Sequence, residues 1–288
     1  MPLHGDQWVL TLVGRLVFGI TGPRKPILGT ELSGVIKAVG SDVTRFVPGD
    51  AVIGFPGAGF GAHAEFITMP ADGKLTAKPD TLGFADAAAI PFGGTTAYDF
   101  LVNKANLQAG ETVLINGASG SVGSACVQIA KHFGAHVTAV CSGANVELVR
   151  SLGADRVIDY QRQDVIAPGD PYDLVVDTVG TLPWARAQHG IRPGGKMVLI
   201  AGKTSDMLLG SLRAALKGKK MIGGVASERR DVLQAVVDLA ATGAFKPVID
   251  RSYAFADMKA AHAHVDTGRK RGNVIVTVAK PSGTMKAA

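Results

Sequence analysis

Apolar and polar positions alternate in two different ways along this chain, and the change falls near residue 91. Before it, short runs such as Ser33–Gly40 (SGVIKAVG), Asp50–Phe55 (DAVIGF) and His63–Pro70 (HAEFITMP) are separated by Gly and Pro, the pattern of short strands in a small β-barrel. After it, Phe92–Val102 reads as a helix, and strand-like runs near residues 113, 137, 157, 174, 197 and 221 alternate with helical stretches. That alternation predicts an α/β fold with a doubly wound parallel sheet. From about Ala226 the pattern predicts a helix through Asp238 and a last strand over Asn273–Val278 that returns to the first domain. The expected division is 1–91, 92–227 and 228–288.

The segment Thr112–Tyr160 reads as a strand, glycine turn, helix and second strand. Val113, Leu114 and Ile115 suit a buried parallel strand, and Gly117, Gly120 and Gly123 follow at the spacing G-x-x-G-x-x-G. Gly117 permits a backbone angle closed to most residues, Gly120 lets the main chain approach a pyrophosphate, and Gly123 lets the helix pack close to the sheet. Val127, Ile129, Ala130 and Phe133 give Ser124–His132 an apolar face, Gly134 ends it, and His136–Val140 forms the second strand. The unpaired N–H groups at the helix start suit phosphates, so Gly117, Ala118, Ser119, Gly120, Ser121, Val122 and Gly123 are candidate dinucleotide contacts.

A carboxylate about 20 residues past the glycines would hold the ribose 2′-hydroxyl of NAD. Here the segment reads Cys141, Ser142, Gly143, Ala144, Asn145, and its first acid, Glu147, falls on the next helix. With no carboxylate to repel a 2′-phosphate, and Ser142 and Asn145 able to hydrogen-bond one, NADP(H) is favoured over NAD. No Arg or Lys lies between Cys141 and Glu147, so the positive charge must come from elsewhere.

Length and composition fit an enzyme of two domains, with 288 residues and 47% hydrophobic content. The net charge is +6, but the basic residues are dispersed except at Lys217, Lys219, Lys220 and Arg269–Arg271. That distribution reads as solvated surface and disfavours nucleic acid as a partner. Trp8–Ile20 is largely apolar but shorter than the about 20 residues a membrane span needs, and it lacks the charged start and cleavage site of a signal peptide. The two cysteines, Cys126 and Cys141, both lie inside the nucleotide unit, which predicts reduced thiols and a cytoplasmic setting.

The runs PILGTELSGVIKAVGSDVTRFVPGDAVIGF, GAHAEFIT, PFGGTTAYDFL, INGASGSVG, SLGADRVIDY, YDLVVDTVG and PGGKMVLIAG together resemble the medium-chain dehydrogenase/reductase superfamily, and within it the zinc-free quinone oxidoreductase (zeta-crystallin-like) branch. The resemblance covers about Pro26 to Val278. It implies a GroES-like β-barrel domain, a Rossmann domain with a nicotinamide in the cleft between them, and hydride transfer from NADPH to a quinone or an α,β-unsaturated carbonyl. Relatives carry further β structure before the region matching Asp6–Lys25, so an incomplete barrel is expected, with an open edge that invites a homodimer.

Three protein ligands are needed around a catalytic zinc. The His of the zinc-dependent relatives' G-H-E motif is Thr30 here, in Gly29-Thr30-Glu31, and two cysteines cannot form their four-cysteine lobe. No metal is therefore expected, which favours acceptors that need no Lewis acid, such as quinones and conjugated ketones. The short-chain reductase class needs a Tyr with a Lys four residues on. Tyr98, Tyr160, Tyr172 and Tyr253 are followed there by Val102, Asp164, Val176 and Asp257. A serine hydrolase elbow fails as well, since Ser119 is followed by Gly120 and Ser121.

By position, the resemblance implies that Ser121 and Val122 bind the pyrophosphate and that Ser142 and Tyr160 contact the 2′-phosphate. Asn145 stands where many relatives have Lys, and Gly272-Asn273 where they have Gly-Lys. Arg269, Lys270 or Arg271 could supply charge if the tail folds over the adenosine end. Thr95, Thr96, Thr178, Ala201 and Gly202 are expected to border the nicotinamide, and His63, Thr96 and Tyr98 are the candidates for a polar pocket wall. No catalytic residue emerges. His4, His132, His136, His189, His262 and His264 show no ligand-like partners in the sequence. The resemblance leaves two other readings open: a cofactor-binding paralogue with little catalysis, acting by interaction or through RNA as some zeta-crystallin-like proteins do, and an enoyl-thioester reductase.

Overall fold

The computed structural model describes residues 24–278 apart from 168, 170 and 203, and for 204–209 the backbone alone. Trp8–Ile20 and His4 lie outside the described residues. The first region contributes an antiparallel three-stranded sheet: β1 (Leu32–Val35), β2 (Ala51–Gly54) and β3 (Leu75–Ala77), in that order. Phe46, Val52 and Leu75 form its small core. The strand expected over His63–Pro70 is not one. The N–H groups of Gly61, Ala62 and His63 are bonded to the carbonyls of Leu28 and Gly29, Phe66 is 72% exposed, and the third strand forms after Pro70 instead.

Two helices follow, α1 (Phe84–Ala88) and α2 (Pro91–Tyr98), and α2 continues into a wider π-helical segment over Asp99–Lys104. The buried Asp99 carboxylate pins this segment, accepting the Ser227 N–H at 2.8 Å and pairing with Lys104 Nζ at 3.0 Å.

The Rossmann sheet has six parallel strands: β4 (Thr112–Asn116), β5 (His136–Cys141), β6 (Arg156–Asp159), β7 (Tyr172–Asp177), β8 (Ile191–Leu199) and β9 (Lys220–Gly223). Each sits where a strand was expected. Their order is β6-β5-β4-β7-β8-β9, so the winding reverses between β4 and β7, and the crevice beyond their carboxyl ends is the ligand position of such sheets. The alternation along a strand divides the core in two. Val113 and Ile115 pack with Ala125, Ile129 and Val236 on one face, while Leu114 packs with Val175, Trp184 and Met197 on the other. With both faces covered, β4 and β7 carry continuous apolar runs.

Helices α3 (Ser121–His132), α4 (Val146–Ser151), α5 (Trp184–Ala187) and α6 (Thr204–Ala215) connect the strands. Past the sheet, α7 spans Arg230–Ala241 and packs on α2. It begins later than the Ala226 expected from the sequence. The chain closes with β10 (Ile249–Ala254), α8 (Met258–Asp266) and β11 (Asn273–Thr277), the two strands pairing in parallel. Strand β10 was not foreseen. Side chains join the first region to this tail: Lys74 pairs with Glu228, and Thr76 Oγ1 donates to Gln234 Oε1.

Candidate dinucleotide site

The glycine turn between β4 and α3 has the shape its spacing requires. Gly117 adopts φ +80°, and a Cβ there would lie 2.6 Å from Thr178 Oγ1. A Cβ on Gly123 would lie 2.1 Å from the Gly117 carbonyl oxygen, so the helix touches the turn backbone to backbone. Gly120 is the extended residue before the helix, and the nearest atom to a Cβ there is 3.5 Å away, which leaves its outer side open to a ligand. Helix α3 starts at Ser121, three residues before the Ser124 read from the sequence. The N–H groups of Ser121, Val122 and Gly123 lie in its first turn, where no preceding carbonyl serves them. This cradle fits a pyrophosphate: Ser121 and Val122 would hold it through their N–H groups.

At the switch point, Asp177 ends β7 fully buried. Its carboxylate accepts Asn116 Nδ2 at 2.9 Å and the N–H groups of Val179, Gly180 and Leu182 at 3.1, 3.0 and 2.9 Å. Asn116 also donates to Thr181 Oγ1 at 2.9 Å. These two residues lock the carboxyl ends of β4 and β7 together, and the sequence reading passed over both; a polar residue closing each of two apolar strands was the available signal. Thr178 Oγ1 donates to the Asn116 carbonyl at 2.8 Å, so its hydroxyl secures the end of β4. The Ala201 N–H reaches the Asp177 carbonyl at 3.4 Å, and a Cβ on Gly180 would meet Gly202 Cα at 3.2 Å, so Thr178, Ala201 and Gly202 share one rim.

At the carboxyl end of β5, Asn145 Nδ2 donates to Ser119 Oγ at 3.1 Å and to Ser142 Oγ at 3.2 Å, joining three of the expected contacts. Tyr160 is 56% exposed beside them, its N–H on the Cys141 carbonyl at 3.2 Å. Glu147 lies on α4, as expected. An acid from another strand does approach: a Cβ on Gly143 would lie 2.8 Å from Asp159 Oδ2. Both thiols are buried, Cys126 pushed up to about 12 by desolvation and Cys141 to about 11 by desolvation and the Asp159 charge.

The tail reaches this turn. Gly272 bridges to Gly120, its N–H on the Ser119 carbonyl at 2.8 Å, and Ser121 Oγ donates to Asn273 Oδ1 at 2.6 Å. Asn273 is anchored through Nδ2 on the Val248 carbonyl at 3.0 Å. Lys270 turns inward, its Nζ 2.5 Å from the Gly272 carbonyl. Two histidines that show no ligand-like partners in the sequence have side-chain neighbours in the fold. His264 Nε2 lies 2.6 Å from Asp250 Oδ2, and the His262 ring meets His63 edge-on at 5.6 Å. Being two apart on α8, they face different neighbours. Beside His63 and His262, a hollow of about 90 Å³ is lined by Met258, Val265, Val274 and Val276.

Glu31 sits where the first region meets α2. Its Oε2 accepts the Phe92 N–H at 2.8 Å at the start of α2, and Lys270 is its charged neighbour. Desolvation pushes its pKa up to about 7, against the opposing pulls of the Phe92 N–H and Lys270. Since the folded pKa lies above the ordinary 4.5, folding takes up a proton. The stabilisation is complete below about pH 4.5 and is lost as the pH rises through about 7. Glu31→Gln, which keeps the acceptor, is therefore expected to flatten the fall in melting temperature across that window. An unchanged slope would show that Glu31 does not titrate there.

Helix α2 lies against α3, since a Cβ on Gly93 would lie 2.6 Å from Ser121 Oγ. Thr95 and Thr96 on α2 are 2% and 5% exposed, and Thr95 Oγ1 donates to the Pro91 carbonyl at 2.6 Å. Tyr98 does not join the candidate wall. It is at the far end of α2, its ring edge-on to Phe133 at 6.1 Å, beyond the last turn of α3. His63 lies against Gly29, next to Thr30, where a Cβ would come 2.5 Å from its Cδ2. Among the described residues no three His, Cys, Asp or Glu side chains converge to hold a metal ion.

Residues 6–80 match the alcohol dehydrogenase GroES-like domain, and residues 152–276 match the family described as zinc-binding dehydrogenase. The chain is 35% identical over 268 residues to the chloroplast envelope quinone oxidoreductase homolog of Arabidopsis thaliana, covering 88% of this chain and 81% of that protein. It is 34% identical over 266 residues to the 2-methylene-furan-3-one reductase of Solanum lycopersicum, covering 88% and 64%. Among solved structures, the quinone oxidoreductase from Coxiella burnetii superposes with a TM-score of 0.75 at 27% identity, covering 88% of this chain and 79% of that one. The chain belongs to the medium-chain dehydrogenase/reductase superfamily, with a GroES-like first domain and a six-stranded parallel sheet. It is an oxidoreductase of the medium-chain type, with quinone oxidoreductases among its relatives.

Proposed function

We propose that this protein is a zinc-independent reductase that takes NADPH and passes its hydride to a quinone or to the β-carbon of an α,β-unsaturated carbonyl. The observation that carries this reading is the cradle at the switch point: Gly120, the first turn of α3 and the rim of Thr178, Ala201 and Gly202 lie at the carboxyl ends of β4 and β7, with Gly117 against Thr178. The relatives, a quinone oxidoreductase homolog and a 2-methylene-furan-3-one reductase, support an acceptor that is a quinone or a conjugated ketone. When bound, the nicotinamide supplies the hydride, and the chain's residues hold and orient it. Water can protonate the resulting oxyanion or enolate, so no side-chain acid is required. With Thr30 in place of a ligating His and both cysteines buried, the described residues bring together no ligand set for zinc, which supports this reading.

NADP rather than NAD, a contact for Thr95 and Thr96 with the nicotinamide ring, and the division at 91 and 227 belong to the same reading. So do a reducing, cytoplasmic compartment, supported by the two inert thiols, and a homodimer formed at β1, an edge strand among the described residues, whose Val35 is 58% exposed. Among the described residues no helix is long and apolar enough to cross a membrane.

Purified protein dialysed against a strong chelator is expected to oxidise NADPH with a quinone or a simple enone at the undialysed rate. A loss restored by added zinc would overturn zinc independence, and tight cofactor binding without turnover would favour the non-catalytic paralogue.

A further inference from the structure

The preference for NADPH leaves one chemical requirement open, because no cation lies between Cys141 and Glu147, where a 2′-phosphate would sit. Asn145, Ser119 and Ser142 form a triad drawn from a helical turn, the glycine turn and the end of β5. The Asn145 amide donates to both serine oxygens. Each serine oxygen accepts from that amide and keeps its own hydroxyl hydrogen to donate to a ligand. Two O–H donors converging on one space suit a ligand with several acceptor oxygens.

The charge near that space comes from the turn after β6. Asp159 Oδ2 lies against Gly143, between Ser142 and Asn145 in the chain. Arg162 Nε lies 3.6 Å from the same oxygen, too far for a good hydrogen bond, and its side chain is 84% exposed. Asp159 accepts the Gln161 N–H at 3.1 Å through its other oxygen, which holds the turn and with it the arginine. An exposed guanidinium loosely held beside a carboxylate can move to a better anion. The alternative cations fit less well. Lys270 points at the Gly272 carbonyl and Glu31, and the backbone N–H of Arg271 is bonded to Asp250, which places that residue beside β10 rather than beside the turn after β6.

We infer that Arg162 supplies the charge for the 2′-phosphate of NADPH, standing in for the lysine that Asn145 replaces, while Ser119 and Ser142 donate to the phosphate oxygens. Arg162 also screens Asp159, whose bare carboxylate would repel the phosphate. This deepens the NADP assignment above and rests on it.

The test uses adenosine 2′,5′-bisphosphate and AMP, which differ only in the 2′-phosphate, alongside NADPH and NADH, titrated against the full chain, Arg162→Gln and Arg271→Gln. The expected result is that the full chain favours the bisphosphate and NADPH, that Arg162→Gln loses about tenfold of that preference, and that Arg271→Gln retains it. Arg162 is exposed, so the variant should melt with the parent. Preference lost in Arg271→Gln but kept in Arg162→Gln would overturn the inference and leave the NADP reading standing. A parent chain that binds AMP and NADH at least as well would overturn both.

Discussion

Gly123→Ala is expected to weaken dinucleotide binding by about a hundredfold and to lower stability by about 1–3 kcal/mol. The added methyl would lie 2.1 Å from the Gly117 carbonyl oxygen, 2.7 Å from its carbon and 2.8 Å from Ala118 Cα. All three are backbone atoms of a turn that Thr178, Val179 and β4 already confine, so no flexible side chain can yield. The start of α3 must move away from the sheet, and the N–H groups of Ser121 and Val122 leave the positions in which they can meet a pyrophosphate. Cofactor fluorescence titration and the urea midpoint read the two effects. Gly120→Ala is the contrast: its methyl would have ordinary contact at 3.5 Å, so the urea midpoint should stay within about 0.5 kcal/mol of the parent. Parental affinity in Gly123→Ala would mean that the turn is not confined as described.

Asp177→Ala should be the most destabilising polar substitution at the crevice, by about 3–5 kcal/mol, because each buried donor left unpaired costs about 1–3 kcal/mol. Four donors lose their acceptor at once: Asn116 Nδ2 and the N–H groups of Val179, Gly180 and Leu182. The last three belong to the loop that carries Thr178 toward the rim, so the variant should also raise the KM for the cofactor. Asp177→Asn keeps one acceptor but turns an amide NH₂ toward a donor, and should fall between parent and alanine. A chemical-denaturation midpoint for Asp177→Ala within about 0.5 kcal/mol of the parent would show that the loop finds other partners.

The parallel sheet was legible because its strands are buried on both faces and therefore read as unbroken apolar runs, at Val113–Ile115 as at Leu174–Val176. The glycine turn was legible for a related reason: φ +80° at Gly117 and backbone contact at Gly123 each admit one residue type, so the geometry is written in the composition. The first region was harder. The run His63–Pro70 has strand chemistry, yet its neighbouring N–H groups are taken by Leu28 and Gly29, a long-range pairing that no local pattern reports. Strand β10 was missed because Asp250, Arg251 and Ser252 interrupt its apolar pattern. Asp159 escaped notice because it comes to Gly143 from a different strand; the reading looked for an acid along β5 alone. Tyr98 shares the run PFGGTTAYDFL with Thr95 and Thr96, yet α2 carries it to its end, beside Phe133 and away from Gly93, the residue that lies against Ser121.

The contact of Gly272 and Asn273 with Ser119 and Ser121 also orders events during synthesis. The strands from β4 to β9 can assemble while the chain is still being made, as domains do when they fold from the amino end. The glycine turn, however, receives its last neighbours, Gly272 and Asn273, about 150 residues after it has been made. A nascent chain halted before residue 272 would present a formed sheet with an unfinished cradle. Reductase activity is therefore expected only once β11 has left the ribosome.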